Sequence, residues 1–273
     1  MGKQALRRQA RKAEFLKTHP RCAYCGDVST TVDHCPARGL FPGRIWPEGY
    51  EFPACYNCNH DAGRDEQVLA LLFRLELAEG RGPASQVEFQ KAINGLRRNQ
   101  PELLSELRRL SASKQKTWFR QAFGPDGDHM RYRGWGAATI GPLATAAINR
   151  SMLKLGKALF YKHVGRPFAG RMLIRHYSRF IEADEFFAGL SRFTPETVVP
   201  RRANRDLTDK FIYQINCNST LGVLFTVVQF TPQFIFAFLI TSDEAVAEFR
   251  RISPESDFSL FEHGMTDCRL KLG

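Results

Sequence analysis

Long hydrophobic runs are missing from this chain of 273 residues. The most apolar stretch, 221–240, is interrupted by Gln229, Pro232 and Gln233. It reads as two strands, and no segment offers the roughly 20 apolar residues of a membrane-crossing helix. The first eight residues lack the apolar stretch of a secretory signal, and Leu6 stands where a myristoylation signal carries Ser or Thr. Repeats and low-complexity segments are also missing. Cysteine is scarce, and four of the seven stand in two Cys-x-x-Cys pairs, which argues against a disulfide framework and for a metal site in a reducing compartment. These absences predict a soluble, cytoplasmic protein that uses no membrane. Acidic side chains are in short supply as well: 28 Asp and Glu face 39 Lys and Arg, for a net charge of +11. That surplus favours a polyanionic partner, since basic clusters release counterions from phosphate backbones. With 43% hydrophobic residues, the chain can still build an ordinary core.

Along the chain, residues 3–21 carry seven basic side chains against Glu14, and Leu6, Ala10, Ala13 and Leu16 recur at helical spacing. A basic helix is expected there. Residues 30–33 read as a strand, 36–49 as a Pro- and Gly-rich loop, 50–52 as a returning strand, and a helix is expected from near Asn59 to 77. Helices are predicted over 86–97, 101–109, 114–123, 144–164 and 172–187, with a break at 124–127. Residues 194–206 read as a linker, and strands are expected at 211–217, 222–230 and 234–240, with a helix over 244–250. The expected organisation is α+β, with a module over 1–77, a helical region over 78–193 and a small β-rich region over 194–273.

The most informative residues are Cys22-Ala-Tyr-Cys25 and Cys55-Tyr-Asn-Cys58. Each two-residue knuckle presents both thiolates to one point, so together they form a four-ligand set for a tetrahedral zinc. Zinc ribbons usually leave roughly 15–20 residues between the pairs, whereas here 29 intervene, residues 26 to 54. The excess holds a hairpin with a long loop, and Asp33-His34 sits inside it. An isolated Asp-His pair means little; one framed by four cysteines demands explanation. Cys35, Cys217 and Cys268 have no partner at metal spacing and are expected to pack as small hydrophobes. His129, His163, His176 and His263 likewise show no ligand spacing.

Cys22-x-x-Cys25-Gly, then Thr-Val-Asp33-His34-x-Pro with Leu-Phe-Pro following, then Pro-Ala-Cys55-x-x-Cys58-Asn59, resembles the zinc-stapled HNH endonucleases of bacteria and phages. The likeness covers about residues 20–70. It implies a ββα-metal module whose hairpin and helix clasp one divalent cation beside the scissile phosphate. By position it implies Asp33 and Asn59 as ligands of that cation and His34 as general base. The middle Asn of the motif is missing, and Tyr50-Glu51-Phe52 stands in its place.

The residue chemistry is consistent with that implication. Phosphodiester hydrolysis needs a deprotonated water and compensation of charge on the leaving oxygen, which a base and a cation supply. A histidine with the ordinary pKa of about 6.5 is mostly neutral at pH 7. Asp33 and Asn59 offer the hard oxygens that Mg²⁺ or Mn²⁺ prefers. Glu66, seven residues after Asn59 and on the same helical face, is a candidate auxiliary ligand; His60 faces another way and reads as a surface or zinc-knuckle residue. Arg38 and Arg64 are candidate phosphate contacts. DNA is the expected substrate. RNA cleavage, or zinc-stapled nucleic-acid binding without catalysis, are the alternatives.

Overall fold

The computed structural model describes residues 2–41, 43, 45–78, 83–126, 138–139, 141–178, 193–230, 234–241, 247, 251 and 266–270. Helix α1, Lys3–Thr18, buries none of its residues, and behind it His19 stacks on Phe15 with ring centroids 4.5 Å apart. Strand β1, Thr31–His34, pairs antiparallel with β2, Glu51–Ala54, so the expected hairpin forms with its second strand beginning one residue later. The loop between them holds a cis Cys35–Pro36 peptide and a 3₁₀ turn at Arg38–Leu40. Two helices follow, α2 over Tyr56–His60 and α3 over Ala62–Ala78.

The middle of the chain forms α4 (Pro83–Asn99), α5 (Pro101–Glu106), α6 (Ala112–Phe123) and the long α7 (Pro142–Val164). The helix expected over 101–109 stops at Glu106. Its carboxylate instead caps α7, accepting from Ala144 N at 3.1 Å, and Arg108–Arg109 (β3) pairs with Ala138–Thr139 (β4). The helix expected over 172–187 is a second correction: strand β5 runs from Gly170 to Ser178, and residues 179–187 lie outside the described residues. Met172, Leu173 and Ile174 are all buried, as in a strand covered on both faces, and such a run cannot be told from a helix by periodicity.

The supposed linker, 194–206, also contains strands: β6 (Glu196–Val198) and a small hairpin of β7 (Arg201–Arg202) and β8 (Arg205–Asp206). Strands β9 (Phe211–Asn218), β10 (Val223–Phe230), β11 (Phe234–Thr241) and β12 (Thr266–Leu270) complete the set. Six of them form one antiparallel sheet in the order β12-β5-β11-β10-β9-β6. The segment 244–250, expected as a helix, lies outside the described residues except for Ala247. The protein is therefore α+β, and β5, from the stretch expected to be helical, belongs to the C-terminal sheet.

Helix α7 packs against α3 and against β5 and β11. The close approach to the sheet depends on Gly156, where an added Cβ would stand 2.6 Å from Met172 Sδ and 3.3 Å from the Phe238 ring. An aromatic cluster joins the hairpin to the rest. Phe211 of β9 lies 4.9 Å from Phe230, 5.6 Å from Tyr50 and 6.2 Å from Phe41 between ring centroids, and Phe73 of α3 lies 5.1 Å from Phe230. Buried aromatics contribute large apolar areas and restrict mutual orientation, so sheet, α3 and hairpin loop are held as one core. Among the described residues, no helix is long and apolar enough to cross a membrane.

Candidate metal centre and active site

The four thiols meet. One sulfur each from Cys22, Cys25, Cys55 and Cys58 lies within 4.8 Å of all the others, and Cys25 Sγ is 3.7 Å from Cys55 Sγ. Tetrahedral bonds of about 2.3 Å to zinc would set sulfurs about 3.8 Å apart. The first knuckle is closed by Gly26 N donating to Cys22 O at 2.9 Å, with Gly26 at φ +83°, a conformation glycine adopts without strain. In the second, Cys55 caps the start of α2. Tyr24 N donates to Cys22 Sγ and Cys58 N to Cys55 Sγ, each at 3.4 Å. The hydrogen bond from Cys58 draws the Cys22 thiol down to about 4, while burial pushes Cys25 up to about 12. In a thiolate metal site the cation replaces such shared protons. Lys157 of α7 donates to Tyr24 O at 2.8 Å. Burial lowers its pKa and the nearby cysteine sulfurs oppose that, so a cation already faces the cluster. Donor type, number and spacing fit a structural zinc.

Along β1, successive side chains point to opposite faces, and this separates Asp33 from His34. Asp33 turns inward and is buried. Its Oδ2 accepts from Tyr24 Oη at 2.6 Å and lies 2.7 Å from Lys154 Nζ. Lys154 Nζ is also 2.7 Å from Glu66 Oε1. Burial by itself would lower the Lys154 pKa, but Asp33 and Glu66 outweigh it and the net shift is upward. Burial raises Glu66, with Lys154 opposing. Asn59 Nδ2 donates to Thr31 Oγ1 at 3.1 Å, which brings Asn59 to the Asp33 face of β1, two residues away. Two carboxylate oxygens, Asp33 Oδ2 and Glu66 Oε1, thus converge on the Lys154 ammonium.

His34 occupies the other face, half-buried. Arg38 Nη2 donates to its Nε2, and Glu51 Oε1 lies 3.6 Å from the same nitrogen. Glu51 is the residue directly across the hairpin from His34. Trp46 presents its ring edge-on to the imidazole with centroids 6.3 Å apart. Burial lowers the His34 pKa, Arg38 adds to this, and Glu51 and Asp33 oppose it. The net shift is downward and favours the neutral imidazole, the state a general base needs.

The structure thus gathers the four cysteines into one group, Asp33 and Glu66 into a second with Asn59 nearby, and His34 with Arg38 into a third. Arg64 is exposed on α3, its carbonyl accepting from Gln100 Nε2 at 2.8 Å, and among the described contacts it joins none of them. His60 is a surface residue stacked on Tyr56. Cys35 is buried, in line with its expected packing role. Sequence reasoning missed Glu51, Trp46, Lys154 and Arg202. Glu51 was legible from strand pairing, as it stands opposite His34. Lys154 had a fainter signal, a lone charge on the stripe of α7 that buries Ala147, Ser151 and Ala158. Nothing in the sequence brings Arg202 to Trp46. In comparisons with known proteins, no family model, no curated protein and no solved structure matches this chain.

Proposed function

We propose that the chain is a zinc-stapled HNH-type endonuclease that hydrolyses phosphodiester bonds in DNA. The observation that carries this reading is His34: an imidazole on a hairpin next to a four-thiol cluster, with Arg38, Glu51 and Trp46 around it. In this reading His34 Nε2 takes the proton of the attacking water, and Glu51 steadies the ring from across the hairpin. Arg38 leaves the imidazole to contact the phosphate. Asp33 and Asn59, with Glu66, would hold one Mg²⁺ or Mn²⁺, taking over from the Lys154 ammonium. When bound, that cation supplies positive charge against the leaving oxygen. Cys22, Cys25, Cys55 and Cys58 would hold the structural zinc.

A second reading has one observation in its favour. Lys154 already pairs with both Asp33 and Glu66, which suits a zinc-stapled nucleic-acid-binding protein that cuts nothing. Incubating the protein with plasmid DNA and with RNA, in EDTA, Mg²⁺ or Mn²⁺, separates the readings. Metal-dependent nicking of DNA that His34→Ala abolishes supports the nuclease. Binding without cleavage under every condition supports the alternative, and preferential loss of RNA would redirect the substrate.

A further inference from the structure

Trp46 carries two guanidiniums. Arg38 Cζ lies 4.3 Å and Arg202 Cζ 4.0 Å from its ring centroid, both well inside the about 6 Å range of cation–π contact. Arg38, in the 3₁₀ turn, and Trp46 come from the one loop between β1 and β2, and Arg202 comes from the distant β7–β8 hairpin. The hairpin is pinned to that loop by Glu48 N donating to Arg201 O at 2.9 Å and by Arg202 Nη1 donating to Trp46 O at 3.4 Å.

We propose that Arg38 and Arg202, stacked on Trp46 beside His34, form a phosphate-binding site that presents a nucleic-acid strand to His34. Like charges brought to one ring repel, and the carboxylate acting on Arg38 is Glu51, while Arg202 and Arg8 of α1 act against it. Among the described residues, two guanidiniums share the Trp46 ring and Glu51 is the carboxylate that acts on Arg38, an excess of positive charge that an anion relieves. Stacking occupies the flat face of a guanidinium and leaves its N–H edge to donate. One nitrogen of each edge is engaged, Arg38 Nη2 on His34 Nε2 and Arg202 Nη1 on Trp46 O. The other N–H groups can meet phosphate oxygens in a planar geometry that lysine cannot reproduce. The repeating phosphates of a nucleic-acid strand fit a site continued by the basic α1 better than a lone anion does, and such contacts set register rather than sequence.

The site also bears on His34. Arg38 donates to His34 Nε2 in this structure, which covers the lone pair that a base would use. A phosphate that takes over the N–H of Arg38 uncovers it. This link rests on the nuclease reading; the phosphate site itself does not.

The test is binding of a short fluorescein-labelled DNA duplex in EDTA, across a salt series, with inorganic phosphate as a separate competitor. Arg38→Gln and Arg202→Gln should each weaken binding and lower the slope of log K against log salt by about 0.9, and the double variant by about 1.8. Arg202→Lys should keep the slope, and inorganic phosphate should compete only weakly. Equal zinc content in every variant shows that the fold is intact. A wild-type slope in Arg202→Gln overturns the site, as does a wild-type protein that binds no duplex or releases it to phosphate as readily as to unlabelled DNA. Because no cleavage occurs in EDTA, that result is independent of His34→Ala, which tests the nuclease reading alone.

Discussion

Lys154 Nζ stands 2.7 Å from Asp33 Oδ2, reaching from the buried stripe of α7 to the inner face of the hairpin. The same ammonium is 2.7 Å from Glu66 Oε1 on α3. Three elements meet at one charge, and the position of that charge is where the nuclease reading needs a divalent cation.

Replacing Lys154 by Met therefore has two expected effects. Leaving the buried Asp33 and the partly buried Glu66 without their partner should destabilise the metal-free protein by about 3–5 kcal/mol. It should also lower the Mn²⁺ concentration for half-saturation by on the order of tenfold, equivalent to about 1.4 kcal/mol, so that Mn²⁺ restores much of the lost stability. Calorimetric titration and urea unfolding of both proteins check this. Equal Mn²⁺ affinity with and without Lys154 would count against Asp33 and Glu66 as the cation pair.

The thiol cluster predicts one zinc per chain. Cys58→Ser should lose the metal and, with it, the ordered hairpin, because small zinc modules draw their folding energy from the ion. Elemental analysis and circular dichroism are the readouts. A fully folded, zinc-free wild-type protein with four freely titrating thiols would overturn the assignment.

The acid limb of activity should follow His34. The working form is neutral, so the rate rises as pH climbs through the His34 pKa. Burial and Arg38 hold that pKa below the ordinary histidine value of about 6.5, so the rise lies at lower pH than an unperturbed histidine would give. Glu51→Gln removes an upward pull and should move the limb to lower pH. Arg38→Ala removes a downward pull and should move it to higher pH. Profiles of kcat/KM, which report the free enzyme, that shift the other way would sever the limb from His34.

Gly156 sets how closely α7 approaches the sheet. A valine there must displace Met172 and the Phe238 ring, at a cost of about 1–3 kcal/mol for overpacking. The midpoint of urea unfolding measures it. An unchanged midpoint would mean that the helix rides farther from β5 than 2.6 Å to Met172 Sδ implies.

Local signals in the sequence were sufficient for the module around the thiols. Doubled Cys-x-x-Cys spacing, a β-branched run at Thr31–Val32 and a loop rich in Pro and Gly each act over a few residues, and each element formed close to where it was expected. The failures were tertiary. Residues 172–174 are apolar without alternation, so only the neighbours β11 and β12 decide that they are a strand. Glu106 ends its own helix and caps another, accepting from Ala144 N 38 residues later. At the site, Asp33 and His34 are neighbours in sequence but face opposite ways, and both Lys154, which pairs with Asp33, and Arg202, which packs on the Trp46 beside His34, come from chain segments whose docking no local pattern encodes.

The most direct test of the central claim is the single-turnover rate of duplex DNA cleavage by wild-type protein and His34→Ala at saturating Mn²⁺, with zinc content and duplex affinity measured on the same samples. The account predicts a rate lower by about 10²–10⁴-fold in the variant, the usual contribution of a general base, with zinc and affinity unchanged. Cleavage by His34→Ala at the wild-type rate, or no cleavage by the wild-type protein with any divalent cation, would contradict it.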